Sequence, residues 1–301
     1  MTPPKAPRGT LIGISLMLAA MAILPFLDVV AKYLGRQGVP VLQIVWARMF
    51  FGAVMTLPFA VKIVGVRGIL PDRPFYHSLR ATLLIAATGC FFWALHYLSI
   101  ADALSIFFVQ PLIVTVLSPI VLGEKVGMRR WVAVVIGFIG TLIIIRPGLQ
   151  EINPGVLLAL AAGASLALYM LMTRKIAGQS HALVTTFHTS AIGAVFASAI
   201  AAYVWVTPTA SQWGLLGLLA FIATFGHFLI VRAYDYCEAS LLAPLAYTEM
   251  VMATAAGWWF FGDLPDRWTF VGVAILISCA IYISVRERAN PIPALREFEQ
   301  P

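Results

Sequence analysis

Charge is what this sequence has least of. Only 11% of its 301 residues are charged, against about a quarter in an ordinary soluble domain. With 61% hydrophobic residues, no single water-soluble core could hide the apolar surface, so lipid has to be part of the solvent. Cysteine is scarce as well. Cys90, Cys237 and Cys279 lie inside apolar segments without metal-type spacing and read as small buried hydrophobes. No Gly-rich phosphate loop occurs, which leaves ATP-driven transport to some other subunit. HExxH and paired intramembrane aspartates are missing too, and the five histidines are dispersed. A membrane-embedded enzyme therefore has no motif to stand on, and no cofactor or metal is expected. The net charge of +7 comes from short basic runs between apolar segments. It forms no continuous face for nucleic acid.

What the chain does have is long apolar runs. They fall at about 11–31, 41–61, 79–99, 103–122, 131–146, 154–173, 183–206, 213–234, 239–261 and 268–285. A bilayer core about 30 Å thick needs around 20 apolar residues per helix, so ten spans and short loops consume nearly the whole chain. The segments are uniformly apolar and do not alternate, which favours helices over a barrel. The first run exceeds a signal-peptide core and leads into Lys32, so it reads as a retained helix. Ten spans put both termini on one side. That side collects fourteen Lys and Arg residues, among them Lys62, Arg80, Arg129 and Lys175, and the other only Lys32, Arg36, Arg146 and Arg267. The positive-inside bias then places both termini in the cytoplasm, with a bacterial inner membrane as the expected location.

The halves are related. A shift of 139 positions lays Gly123-Glu124 on Gly262-Asp263, Ala94 and Tyr97 on Ala233 and Tyr236, and Gln110 on Glu249. At a slightly different offset, Lys32 falls on Lys175 and Gly35 on Gly178. The expected units are residues 1–146 and 154–286, five spans each, followed by a cytoplasmic tail, 287–301. Five is odd, so the second unit inserts upside down. The expected fold is thus an all-α integral membrane protein, two inverted five-helix repeats around a central cavity, with the solute site near the midplane.

The stretches "PLIVTVLSPIVLGEKVGMRRWVAVVIGFIGTLIII" and "APLAYTEMVMATAAGWWFFGDLPDRWTFVGVAIL", together with "IVWARMFFGAV" around Arg48, resemble the drug/metabolite transporter superfamily and its ten-helix EamA-type permeases. "PFLDVVAKYLG" is most similar to the branch holding S-adenosylmethionine uptake carriers; riboflavin carriers and amino-acid or metallophore exporters are relatives. Asp263 stands where the second half of the family often has Glu. The resemblance implies transport without ATP hydrolysis and leaves the cargo open.

Charges within the bilayer are the sharpest site signal, each costing about 3 kcal/mol or more at the centre unless paired or hydrated. Glu249, near the middle of span nine, could bind an amino or cationic group or carry a coupling proton; a buried carboxylate bonded to Tyr247 or Thr248 is the structural alternative. Its counterpart Gln110 is neutral and adjoins Pro111, which suggests a locally opened helix. Asp28 and Lys32, four apart on one helical face, read as a structural ion pair or part of an outer gate. Arg48 could meet an anionic solute, pair with Asp28, or snorkel outward. His96 and Asp235, equivalent positions at opposite faces, would suit two gates or two ordinary interfacial residues. His227 reads as interior-facing. Trp93, Tyr97, Tyr169 and Tyr247 are candidate lining rings, able to stack on a flat or cationic solute.

The expected partners are a small organic solute and the lipid bilayer, with the chain acting as a monomer or homodimer. The leading function is a secondary carrier for a metabolite such as S-adenosylmethionine, riboflavin or an amino-acid-related compound. The alternative is a flippase for a lipid or lipid-linked precursor, which would need a cavity open sideways to lipid.

Overall fold

The computed structural model describes residues 7–71, 73–123, 128–145, 153–176, 182–236, 245, 248–275 and 277–278. Among them regular structure is entirely helical. The elements are α1 (Pro7–Arg36), α2 (Val41–Val64), a 3-10 turn (Val66–Ile69), α3 (Pro74–Ala94), α4 (Ile100–Phe107), α5 (Gln110–Leu122), α6 (Met128–Ile145), α7 (Pro154–Lys175), α8 (Ala182–Ala201), α9 (Ala210–Tyr236) and α10 (Thr248–Phe261). Helical residues 267–275 follow as α11. Six stretches are long and apolar enough to cross a membrane: Leu11–Arg36, Val41–Val64, Ile100–Leu122, Pro154–Thr173, Leu183–Val204 and Ala210–Ile230. The junction 146–152, the start of the ninth segment and the tail 287–301 lie outside the described residues.

Proline and glycine set the boundaries. Pro74 and Pro154 open α3 and α7, where a missing N–H costs nothing. Gly123 and Gly262 end α5 and α10 with φ of 71° and 72°, a left-handed conformation open to glycine. Their N–H groups donate to the carbonyls of Pro119 (3.1 Å) and Trp258 (2.9 Å). Both the glycines and these acceptors stand 139 positions apart.

The fourth apolar segment is broken in the middle. Ser99 caps α4, its Oγ accepting from the Asp102 N–H (3.0 Å) and donating to the Asp102 carboxylate (2.7 Å). Pro111 has no N–H for the Phe107 carbonyl, and the helix gives way at Phe108–Val109 before α5 resumes. The break is accommodated by Gly163 of α7, where a Cβ would lie 2.8 Å from the Phe107 oxygen.

Two of the boundaries that differ from the sequence reading bear on charges. The third starts at Pro74, not near 79, so Arg80 is not a loop charge: it sits six residues inside α3 and is 2% exposed. The first runs five residues past 31, because Lys32 and Arg36 both find partners on the α10 side.

Packing is pairwise. α1 lies along α9 and α3 along α7; α2 lies along α8; α10 covers α1 while α4 and α5 cover α7; α2 also meets α9, and α3 meets α8. Lipid gives no hydrophobic drive between helices, so close fit matters most. Buried alanines and glycines supply it, with Ala20, Ala47, Ala94, Ala159, Ala162 and Ala233 fully buried. Two ends can be told apart by their contacts. At one, the Gln43 amide donates to Val206 O (2.8 Å) and Lys32 reaches the turns after α3 and α10. At the other, His188 bonds Ile69 O (2.7 Å) and Arg80 bonds Thr173 (2.9 Å).

Candidate solute site

Six helices deliver polar side chains to the middle of the bundle. Asp28 stands eight residues before the end of α1 and Arg48 seven after the start of α2, about 10–12 Å in from the Lys32 end at 1.5 Å per residue. Glu249 stands twelve residues before the end of α10, about 18 Å from the same end. All three therefore lie in the central part of an apolar core about 30 Å thick.

They form one electrostatic cluster. Asp28, 5% exposed, feels both Glu249 and Arg48. Arg48 acts in turn on Asp28 and on His227 of α9, and lies within range of Tyr169 on α7. Its Nη1 donates to Thr88 Oγ1 of α3 (2.6 Å), which orients the fork inward, not toward a surface. His227 Nδ1 donates to Ala223 O (2.8 Å). Arg48 acts on Asp28, and Glu249 adds a second acid beside Asp28. Arg48 can neutralise one acid and still present N–H groups to a carboxylate from outside; the second acid is left for a cation or a proton.

The expected Asp28–Lys32 pairing is not the one made. Lys32, its side chain 6% exposed, donates to Asp263 Oδ2 (2.8 Å) and to Leu98 O (2.9 Å), with its ammonium 5.1 Å from the centre of the Phe261 ring. A buried ammonium needs several acceptors, and the cross-bundle site provides two, while Asp28 feels Arg48 and Glu249. His96 and Tyr97 sit at this same end and line a cavity of about 350 Å³ with Lys32, Arg36 and Asp263. Trp93 is half-exposed on α3 and borders neither this cavity nor the one described next. Gln110 lies at the α4–α5 break, where its amide donates to the sulfur of Met170 on α7. Tyr247 and the side chain of Asp235 lie outside the described residues.

A second cavity of about 410 Å³ opens between α2, α8 and α9. Met55, Phe59, Phe221 and Phe228 make it largely apolar; Thr56 and His227 supply polar edges.

Sequence reasoning missed three features. Thr88 gave no signal. Asp263 was noted only as a repeat and family position. Arg80 was counted with the loops, yet it donates to Thr173 Oγ1 (2.9 Å) and Tyr169 OH (3.3 Å), with its guanidinium 5.1 Å from the Tyr169 ring centre. His77 and His188 stack edge-on beside it, 4.9 Å between centres. Among the described residues no group of His, Cys, Asp and Glu could hold a metal ion.

One family model, the EamA-like transporter family, matches the chain twice, at residues 11–146 and 153–285. The chain belongs to that family. EamA-like proteins are transporters and not enzymes, so this is a multi-pass membrane protein of transport. It is 28% identical over 278 residues to the S-adenosylmethionine uptake transporter of Rickettsia prowazekii, covering 92% of this chain and 94% of that one. It is 29% identical to the riboflavin transporter of Vibrio cholerae, over 89% and 91% of the two chains. Against the pseudopaline exporter of Pseudomonas aeruginosa it is 26% identical, over 65% and 69%. A protein of known crystal structure, 18% identical, matches the fold with a TM-score of 0.63 over 94% of this chain and 98% of its own.

Proposed function

We propose that this EamA-like protein is a secondary carrier of ten spans, built as two inverted five-helix repeats, which moves a small zwitterionic or cationic metabolite past the Asp28–Arg48–Glu249 cluster by alternating access. That cluster is the observation that carries the reading: a buried Asp28 with half-buried Arg48 and Glu249, from three helices within the bilayer, is costly unless the charges serve a solute or a coupling ion. The inverted repeat is supported by the packing. Exchanging each helix for its counterpart in the other half turns the α1–α9 contact into α7–α3, α1–α10 into α7–α4/α5, and α2–α9 into α8–α3. The left-handed glycines 123 and 262 repeat at the offset found in the sequence. Both termini are cytoplasmic on the distribution of Lys and Arg; moving Arg80 into a span leaves that bias in place.

An α-amino acid bearing a further positive charge suits the cluster best. Its carboxylate takes Arg48 and its cations take the two acids. S-adenosylmethionine, the solute in the name of the Rickettsia relatives, has this pattern, whereas riboflavin has neither charge and would rely on ring stacking. Uptake into proteoliposomes over a panel of S-adenosylmethionine, riboflavin and amino acids tests the reading. Saturable uptake of a zwitterion, lost in Glu249→Gln, is expected; no saturable uptake of any member would overturn it.

The apolar cavity favours a second reading, a lipid flippase. Phe59, Phe221, Phe225 and Phe228 are all exposed at its rim, as an acyl chain arriving from the side would require. Movement of a fluorescent phospholipid between leaflets, dependent on the protein, would select it.

A further inference from the structure

The cavity at the Lys32 end lies apart from the central cluster, and the two are joined by one face of α1. Asp28, Lys32 and Arg36 recur every four residues and so stand above one another. Arg36 borders the cavity, Lys32 stands one turn deeper, and Asp28 lies one turn deeper still, in the cluster. The Lys32–Asp263 ion pair therefore stands between the two spaces. It ties the end of α1 in the first half to the turn after α10 in the second, and its bond to Leu98 O brings in the turn after α3.

The lining is charged and unevenly satisfied. Lys32 has two acceptors. Arg36 lies over Phe261, its guanidinium carbon 4.6 Å from the ring centre, and has no carboxylate partner among the described residues. Its guanidinium, a fork of five donors, borders a space of about 350 Å³, within the range that holds small ligands. Asp263, 30% exposed, offers its carboxylate to the same space. Gly35 lets His96 lie against α1, where a Cβ would come within 2.9 Å of the imidazole.

We infer that this vestibule is a second recognition site, specific for the carboxylate of an amino-acid-type solute, and that the bound solute opens the Lys32–Asp263 pair. Arg36 holds the carboxylate first. The carboxylate then replaces Asp263 on Lys32, and Asp263 turns to the ammonium of the solute. One ion pair becomes two with no net charge left uncompensated, and the path down α1 toward Asp28 is released. The inference rests on the carrier reading but concerns a different site.

The test is equilibrium binding to the purified full chain in nanodiscs, with S-adenosylmethionine and its decarboxylated analogue as probes. The parent protein should bind the carboxylate-bearing probe about tenfold more tightly, the worth of one charge-assisted hydrogen bond. In Arg36→Gln that preference should fall several-fold, to the share that Arg48 contributes in the central cluster, and Arg36→Lys should restore part of it. Arg36 is exposed, so size-exclusion profiles of all three should coincide. An undiminished preference in Arg36→Gln overturns the inference, as does equal weakening of both probes or no binding of either by the parent. If the parent still transports another solute of the panel, the carrier reading survives that failure.

Discussion

Removing either partner of the Lys32–Asp263 pair breaks the same bond, yet the two losses should differ in cost. In Asp263→Ala the ammonium of Lys32 stays buried, 6% exposed, with Leu98 O as its remaining acceptor. Stranding a charge in that way costs about 3 kcal/mol. In Lys32→Met the charge left behind is Asp263, 30% exposed, which water can reach, so the loss is that of a half-exposed ion pair, about 1 kcal/mol. For a chain of this size about 1 kcal/mol moves the unfolding midpoint by about 2 °C. Asp263→Ala should therefore lower the apparent midpoint in detergent by about 6 °C and Lys32→Met by about 2 °C, followed by tryptophan fluorescence at one scan rate. In the double variant Asp263→Ala/Lys32→Met the buried charge is gone, so its midpoint should lie above that of Asp263→Ala alone. Equal losses, or the reverse order, would refute the argument that burial of Lys32 sets the cost.

Gly163→Ala presses a methyl to within 2.8 Å of the Phe107 carbonyl; a loss of about 1–3 kcal/mol is expected in thermal unfolding, together with reduced transport because the α4–α5 break is displaced. Gly272→Ala brings a Cβ to 2.6 Å from Gly140 O, so α6 and α11 should separate and the yield of monodisperse protein on gel filtration should fall. Thr88→Val removes the hydroxyl that orients Arg48; the KM of a carboxylate-bearing solute should rise about tenfold with the midpoint little changed. Arg80→Ala empties a fully buried side chain bonded to α7 and should cost at least 2 kcal/mol, whereas Arg80→Lys should recover part of that.

Much of the scaffold could be read directly from residues. Uniform apolar runs bounded by Gly and Pro gave the helices, and Gln110 beside Pro111 marked the place where a helix opens. The Gly123/Gly262 match recurs as two left-handed helix ends. Helix periodicity also put Asp28 and Lys32 on one face, but it says nothing about which neighbour a charge will choose. That choice depends on a turn far away in the chain, and it went to Asp263, 231 positions on. Arg80 was misplaced for a related reason: a hydropathy run starts where charge stops, whereas a helix starts where proline and capping allow. Thr88 was invisible because a threonine in an apolar helix usually bonds its own backbone, and only the approach of α2 gives this one a guanidinium.

Counterflow in proteoliposomes bears most directly on the carrier mechanism. Vesicles preloaded with an unlabelled solute of the panel should take up the labelled form several times faster at first than empty vesicles, since a carrier returns faster when loaded. Glu249→Gln should abolish that acceleration while folding normally. Uptake that is protein-dependent but indifferent to preloading for every solute would contradict alternating access around the intramembrane charges.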